Sequence, residues 1–156
     1  MNNEPISAQL IPPPELKTIY PQPFTALVEG RTKRKLGDYF GLTNFGVNST
    51  QLEVGAISAL FHHHAKQDEF VYILEGTPTL LLGDQEFLLN SGDCIGFKAG
   101  TGVAHQLINR SQAEVVYLEI GDRSLGDNVE YPNDDLKATQ LPNGNWRFAR
   151  KNGDFY

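Results

Sequence analysis

The sequence predicts an all-β chain. Three observations carry that expectation. Between about residues 40 and 121 short apolar runs recur at close spacing, no long amphipathic helical pattern separates them, and turn signals such as Gly83-Asp84 and Asn90-Ser91-Gly92-Asp93 punctuate them. Strands spaced in this way suggest a sandwich or a barrel. A length of 156 residues suits one domain spanning 1–156, and 40% hydrophobic with 21% charged residues argues for a packed core over disorder.

Each element has a local reason. Residues 1–23 hold six of the nine prolines, so an arm over 1–39 is expected to start extended rather than helical. Such an arm must dock to be ordered, either on a partner subunit or on the outer wall of its own barrel. The basic run Arg31-Thr32-Lys33-Arg34-Lys35 is expected to be a solvated surface segment. In the barrel core, about 40–121, residues 45–54 alternate and break at Gly55, 57–64 follow, and 69–74 end at Gly76. Residues 77–82 and 85–89 flank Gly83-Asp84, a two-residue hairpin signal. Residues 94–97, 104–109 and 114–120 complete the strands. Cys94 is the single cysteine; no intrachain disulfide can form, and its apolar run predicts a buried, inert thiol. The segment 122–156 is polar and turn-rich and is expected to wrap the barrel, with Trp146, Phe148, Phe155 and Tyr156 packing on it.

Charge narrows the function classes. A net charge of −6 makes the chain a poor partner for nucleic acid or an anionic membrane. No run approaches the length of a membrane span and the N-terminus lacks a secretory pattern, so a cytoplasmic protein is expected.

The chemistry-bearing residues cluster. Three of the four histidines stand together as His62-His63-His64, and Glu69 follows at the start of the next strand. In a strand, side chains alternate faces, which puts His62 and His64 on one face, about 7 Å apart at Cα, and His63 on the other. Imidazoles so placed can converge on an ion about 2.0–2.1 Å from each nitrogen. Glu69 shares its face with Val71 and Ile73, where a carboxylate is costly without a charged partner. Phe70, Tyr72 and Leu74 take the opposite face and point to a second apolar layer. His105 follows Gly100-Thr101-Gly102, and a strand there beside His62 closes a site of three histidines and one carboxylate.

These residues resemble the cupins. The first cupin motif, glycine, His-x-His, glutamate, glycine, is matched by Gly55, His62, His64, Glu69 and Gly76, with an initial spacer of six residues instead of five. The second is matched by Gly92, Gly100, His105 and Asn109, with Lys98 in place of a proline and a spacer of four residues before the histidine instead of two. The resemblance implies a double-stranded β-helix, or jelly-roll, barrel carrying an N-terminal arm and a C-terminal segment. It also implies one divalent transition metal (Zn, Mn, Fe or Ni) on His62, His64, Glu69 and His105. The flanks at 30–38 and 131–136 are similar to a group of small single-domain bacterial cupins labelled sugar-phosphate or mannose-6-phosphate isomerases.

A metal-dependent enzyme acting on a small polar molecule, isomerase-like and with a sugar phosphate as the example, is therefore the leading reading. Alternatives are a dioxygenase of a small organic substrate, or a cupin that binds a small molecule or sugar without turnover. A phosphate group calls for cations near the pocket, and Lys98 and residues 31–35 are the candidates. No general base stands out. Asn109 is expected to fix a turn. The arm and the Phe70-Tyr72-Leu74 face suggest a homodimer.

Overall fold

The computed structural model describes residues 4–156; the first three residues of the expected arm lie outside the described residues. Among the described residues there are twelve strands: β1 (Arg31–Lys35), β2 (Phe45–Leu52), β3 (His63–His64), β4 (Glu69–Glu75), β5 (Thr79–Leu82), β6 (Gln85–Leu88), β7 (Cys94–Phe97), β8 (His105–Ile108), β9 (Val115–Asp122), β10 (Asn128–Tyr131), β11 (Leu136–Gln140) and β12 (Trp146–Ala149). They form antiparallel sheets in the orders β1-β2-β9-β4-β7, β12-β11-β10-β3 and β6-β5-β8. This is the all-β jelly-roll barrel that the motifs imply. Among the described residues, no helix is long and apolar enough to cross a membrane.

Alternation builds the interior. Val71 and Ile73 of β4, Val115 and Tyr117 of β9, Leu52 of β2, Leu80 of β5 and Leu107 of β8 meet in one buried cluster. A second cluster joins Phe24 and Leu60 to Val129, Tyr131, Leu136 and Ala138. The hairpin between β5 and β6 turns at Gly83-Asp84, with Leu82 opposite Gln85 and Gly83 at φ 56°. Gly76 ends β4 at φ 82°, where an added Cβ would sit 2.6 Å from the Glu114 carbonyl, so only glycine fits. Asn109 does fix a turn. Fully buried, it donates to the carbonyls of Leu52, Glu53 and Ala113.

Several local expectations change. The run 57–64 is not one continuous strand: only His63–His64 form β3, while Ile57 and His62 reach β8 through isolated bridges to Ile108 and His105. The basic run 31–35 is not a solvated segment. It is β1, paired along its length with β2, because alternating long side chains can cover an edge on one face and reach inward on the other. The arm does not lie on the outer wall: Pro14, Leu16, Lys17, Thr18, Ile19 and Tyr20 line the barrel's own cavity. Its Phe24 is buried in the second cluster. The segment 122–156 does more than wrap. It forms the β10–β12 meander, and β10 pairs with β3 through Val129–His64 and Glu130–His63. Trp146 and Phe148 pack against the second core and also line the cavity. Phe155 is exposed, with the Arg147 guanidinium 4.7 Å from its ring centre, and Tyr156 packs edge-on to Phe24. Cys94 is exposed, not buried. It lies opposite Tyr72, and the register of β7 sends Phe97 inward in its place.

Candidate metal centre

Four side chains converge at one end of a cavity of about 710 Å³. His62 and His105 face each other across an antiparallel bridge closed by hydrogen bonds in both directions, His62 N–H to the His105 carbonyl and His105 N–H to the His62 carbonyl. Their rings lie 4.6 Å apart. Glu69 opens β4, opposite Phe97 of β7, and the Phe97 ring stacks on His105 at 3.6 Å. Glu69 Oε2 is 3.0 Å from His105 Nε2 and 3.5 Å from Nε2 of both His62 and His64. The donor atoms of His62, Glu69 and His105 all lie within 4.8 Å of one another; His64 stands just outside that tightest group. His63 takes no part in the group, as strand alternation predicts.

The hydrogen bonds behind the rings set their tautomers. His62 Nδ1 lies 2.7 Å from the Leu60 carbonyl, and His64 Nδ1 lies 2.5 Å from Asp127 Oδ2. Both partners accept only, so in the neutral rings Nδ1–H donates and Nε2 keeps a bare lone pair. Those lone pairs point at a carboxylate oxygen that is itself buried without a well-aligned donor. Acceptors facing acceptors in a buried site are unfavourable unless a cation lies between them. Donors about 2.1 Å from one ion stand about 3.0–3.4 Å apart at octahedral or tetrahedral angles. The spacings of 3.0 and 3.5 Å from Glu69 to the three imidazoles are compatible with that range, so the donor set suits a transition-metal ion.

Electrostatics follow the same logic. Burial pushes the Glu69 carboxyl up, but protonated imidazoles at His105 and His62 outweigh it and hold the group well below the usual carboxylate range; with the imidazoles neutral, a bound cation would supply that positive charge instead. Burial pulls His105 down, further than the Glu69 carboxylate lifts it. For His64 the order reverses: burial lowers it, but the Asp127 hydrogen bond and the charge of Glu69 raise it above its ordinary value. Asp127 is fully buried, and its other oxygen accepts from the Lys66 N–H.

Beyond the cluster the cavity has a polar wall. Register places Asn48 opposite Glu119 and Val71 opposite Glu119, so Glu119 shares the inner face that carries Glu69. Glu119 Oε1 accepts from Lys33 Nζ at 2.6 Å and from Asn48 Nδ2 at 3.2 Å. Arg31, Lys33 and Lys35 of β1 line the same space, while Lys98 is exposed and lies outside it. Sequence reasoning missed Asp127 and Glu119. Asp127 sits in the polar tail and gives no local signal. Glu119 did give one, since Val115, Tyr117 and Glu119 alternate as Glu69, Val71 and Ile73 do.

Comparison with known proteins agrees with this architecture. The cupin-domain family model matches residues 48–121. A crystal structure of a cupin-superfamily sugar phosphate isomerase from Silicibacter pomeroyi is similar over 89% of this chain and 88% of that one, with 38% identity and a TM-score of 0.84. A protein provisionally named sugar phosphate isomerase from Acidithiobacillus ferrooxidans shares 33% identity over 77% of this chain and 76% of its own, with a TM-score of 0.71. A polyketide cyclase from Streptomyces resistomycificus, at 20% identity over 60% of this chain and 66% of its own with a TM-score of 0.52, shares the fold alone. No curated protein matches the chain.

Proposed function

The chain belongs to the cupin superfamily, and we propose that it is a metal-dependent enzyme of the sugar-phosphate isomerase kind. The observation that carries this reading is the convergence of three imidazoles on the buried Glu69 carboxylate at one end of the cavity. His62, His64, Glu69 and His105 would hold one divalent ion, of the Zn, Mn, Fe or Ni class, and the two relatives above 30% identity supply the substrate class. When bound, such an ion polarises a carbonyl or hydroxyl oxygen. The chain's own residues do the rest. An aldose–ketose exchange must move a proton between neighbouring carbons, and Glu119 is the inward carboxylate outside the cluster and on its sheet face. Both of its hydrogen bonds fall on Oε1, which orients the carboxylate toward the cavity. Tyr20, Phe148 and Trp146 give the cavity an aromatic lining.

The test is elemental analysis of protein purified without added metal or affinity tag, followed by turnover on a panel of sugar phosphates. We expect about one ion per chain, and activity that chelation removes and Glu69→Ala abolishes. Turnover that survives chelation would sink the reading. Val71, Phe97 and Leu107 near the cluster also suit a small organic substrate, and oxygen consumption on such compounds would favour a dioxygenase. Ligand binding without any turnover would favour a binding module. We further propose a cytoplasmic homodimer using the exposed Phe70, Tyr72 and Leu74 face, which sedimentation tests.

A further inference from the structure

The cations of the polar wall are not equivalent. Lys33 pairs with Glu119, and both Lys35 and Arg123 pair with Asp38. Arg31 has no carboxylate partner among the described residues. Its Nη1 donates to the Ser58 carbonyl at 2.5 Å and its Nη2 to the Lys17 carbonyl at 3.4 Å, while Nε is buried without a partner. Two backbone carbonyls orient a guanidinium but do not neutralise it, so a partly buried charge faces the cavity uncompensated. Lys17, on the arm beside Arg31, also lines the cavity and adds a second cation with no carboxylate partner among the described residues. Arg31 lies opposite Leu52 and so in line with Val115 of β9, whereas Glu69 lies opposite Gly121, with Tyr117 and Glu119 between those two positions on the same inner face. A cavity of about 710 Å³ leaves room for a sugar between Arg31 and Glu69.

We propose that Arg31, with Lys17 beside it, is the anchor for the phosphate monoester of the substrate. The proposal rests on the sugar-phosphate reading for its ligand class, but the site is physically separate from the histidine cluster. A guanidinium held on two carbonyls is pre-oriented, so little side-chain freedom is lost when a dianion arrives. Anchoring at Arg31 leaves the sugar's reacting end directed along the wall past Glu119.

Calorimetric titration of inorganic phosphate tests this without any turnover. The purified protein should bind phosphate with millimolar or tighter affinity, and Arg31→Met should weaken it by about tenfold or more. The His62→Ala, His105→Ala variant should bind phosphate as the parent does. Acetate should bind at least about tenfold more weakly, since a carboxylate carries half the charge. Because Arg31 also ties down Ser58 and Lys17, Arg31→Lys is measured beside it; this variant keeps the charge but loses the fork, and a several-fold loss is expected. Unchanged affinity in both Arg31 variants overturns the proposal. So does equal binding of acetate, or phosphate binding that vanishes in the double histidine variant yet survives Arg31→Met. Phosphate binding at Arg31 in a protein that turns over no sugar phosphate would leave the anchor standing and remove only the isomerase reading.

Discussion

The two ends of the cavity are built on opposite electrostatic plans. At the histidine end, the ring N–H groups of His62 and His64 donate away from the site, to Leu60 and Asp127, and lone pairs face inward around Glu69. At the β1 end, guanidinium and ammonium groups face inward, and only some of them have acids beside them. One end presents lone pairs and a carboxylate, and the other presents cations; a cation is proposed at the first and an anion at the second. The contrast also appears within the histidine end. His62 takes its support from a carbonyl two residues away, whereas His64 takes it from Asp127, brought in by the β10 meander from 63 residues away.

The largest effect tests whether the ends are independent. His62→Ala combined with His105→Ala removes two of the four proposed donors, both in the tightest group, and metal content should fall to near zero while the melting transition remains cooperative. Unchanged metal in that variant ends the assignment.

Next comes the carboxylate between the ends. Glu119→Gln keeps the shape and the contacts to Lys33 and Asn48 but cannot take a proton. The expected loss in kcat is about 10²–10⁴-fold, with metal content unchanged. Full activity in the variant would remove Glu119 from proton transfer.

Asp127→Asn compares the distant support with the local one. Metal affinity should drop about 10–100-fold. In chelated protein the same variant has a titration signature. Burial lowers His64 and the Asp127 contact outweighs it, so NMR should show the His64 midpoint moving from above about 6.5 to below it. The sign for stability follows. The raised His64 value contributes stability below about pH 6.5 that is lost as pH rises through its folded value. The depressed Asp127 value contributes stability above about pH 3.9 that is lost as pH falls through its folded value. The parent's advantage over the variant should therefore peak between about pH 4 and 6.5 in chemical denaturation. An advantage that is flat with pH contradicts the pairing.

The smallest effect is His63→Ala. Strand alternation and β3–β10 pairing keep His63 off the cluster, so metal content and turnover should match the parent. Loss of metal there means that alternation misassigned the ligands.

By itself the sequence determined the all-β class, the hairpin at Gly83-Asp84, and the nomination of His62, His64, Glu69 and His105 with His63 left aside. Each of these rests on a local rule: period-two alternation, turn chemistry, or the cost of a carboxylate on an apolar face. Tertiary structure decided what those rules cannot reach. The basic run gave no sign of being an edge strand, because pairing with β2 depends on a partner far along the chain. Cys94 turned outward because the β7 register, fixed by its pairing with β4, selects which residues face the core. Asp127 and Arg31 acquire their meaning only from neighbours in space, one behind a histidine and the other at the cavity's cationic end. A charge is defined functionally by what surrounds it, and folding alone assembles that surrounding.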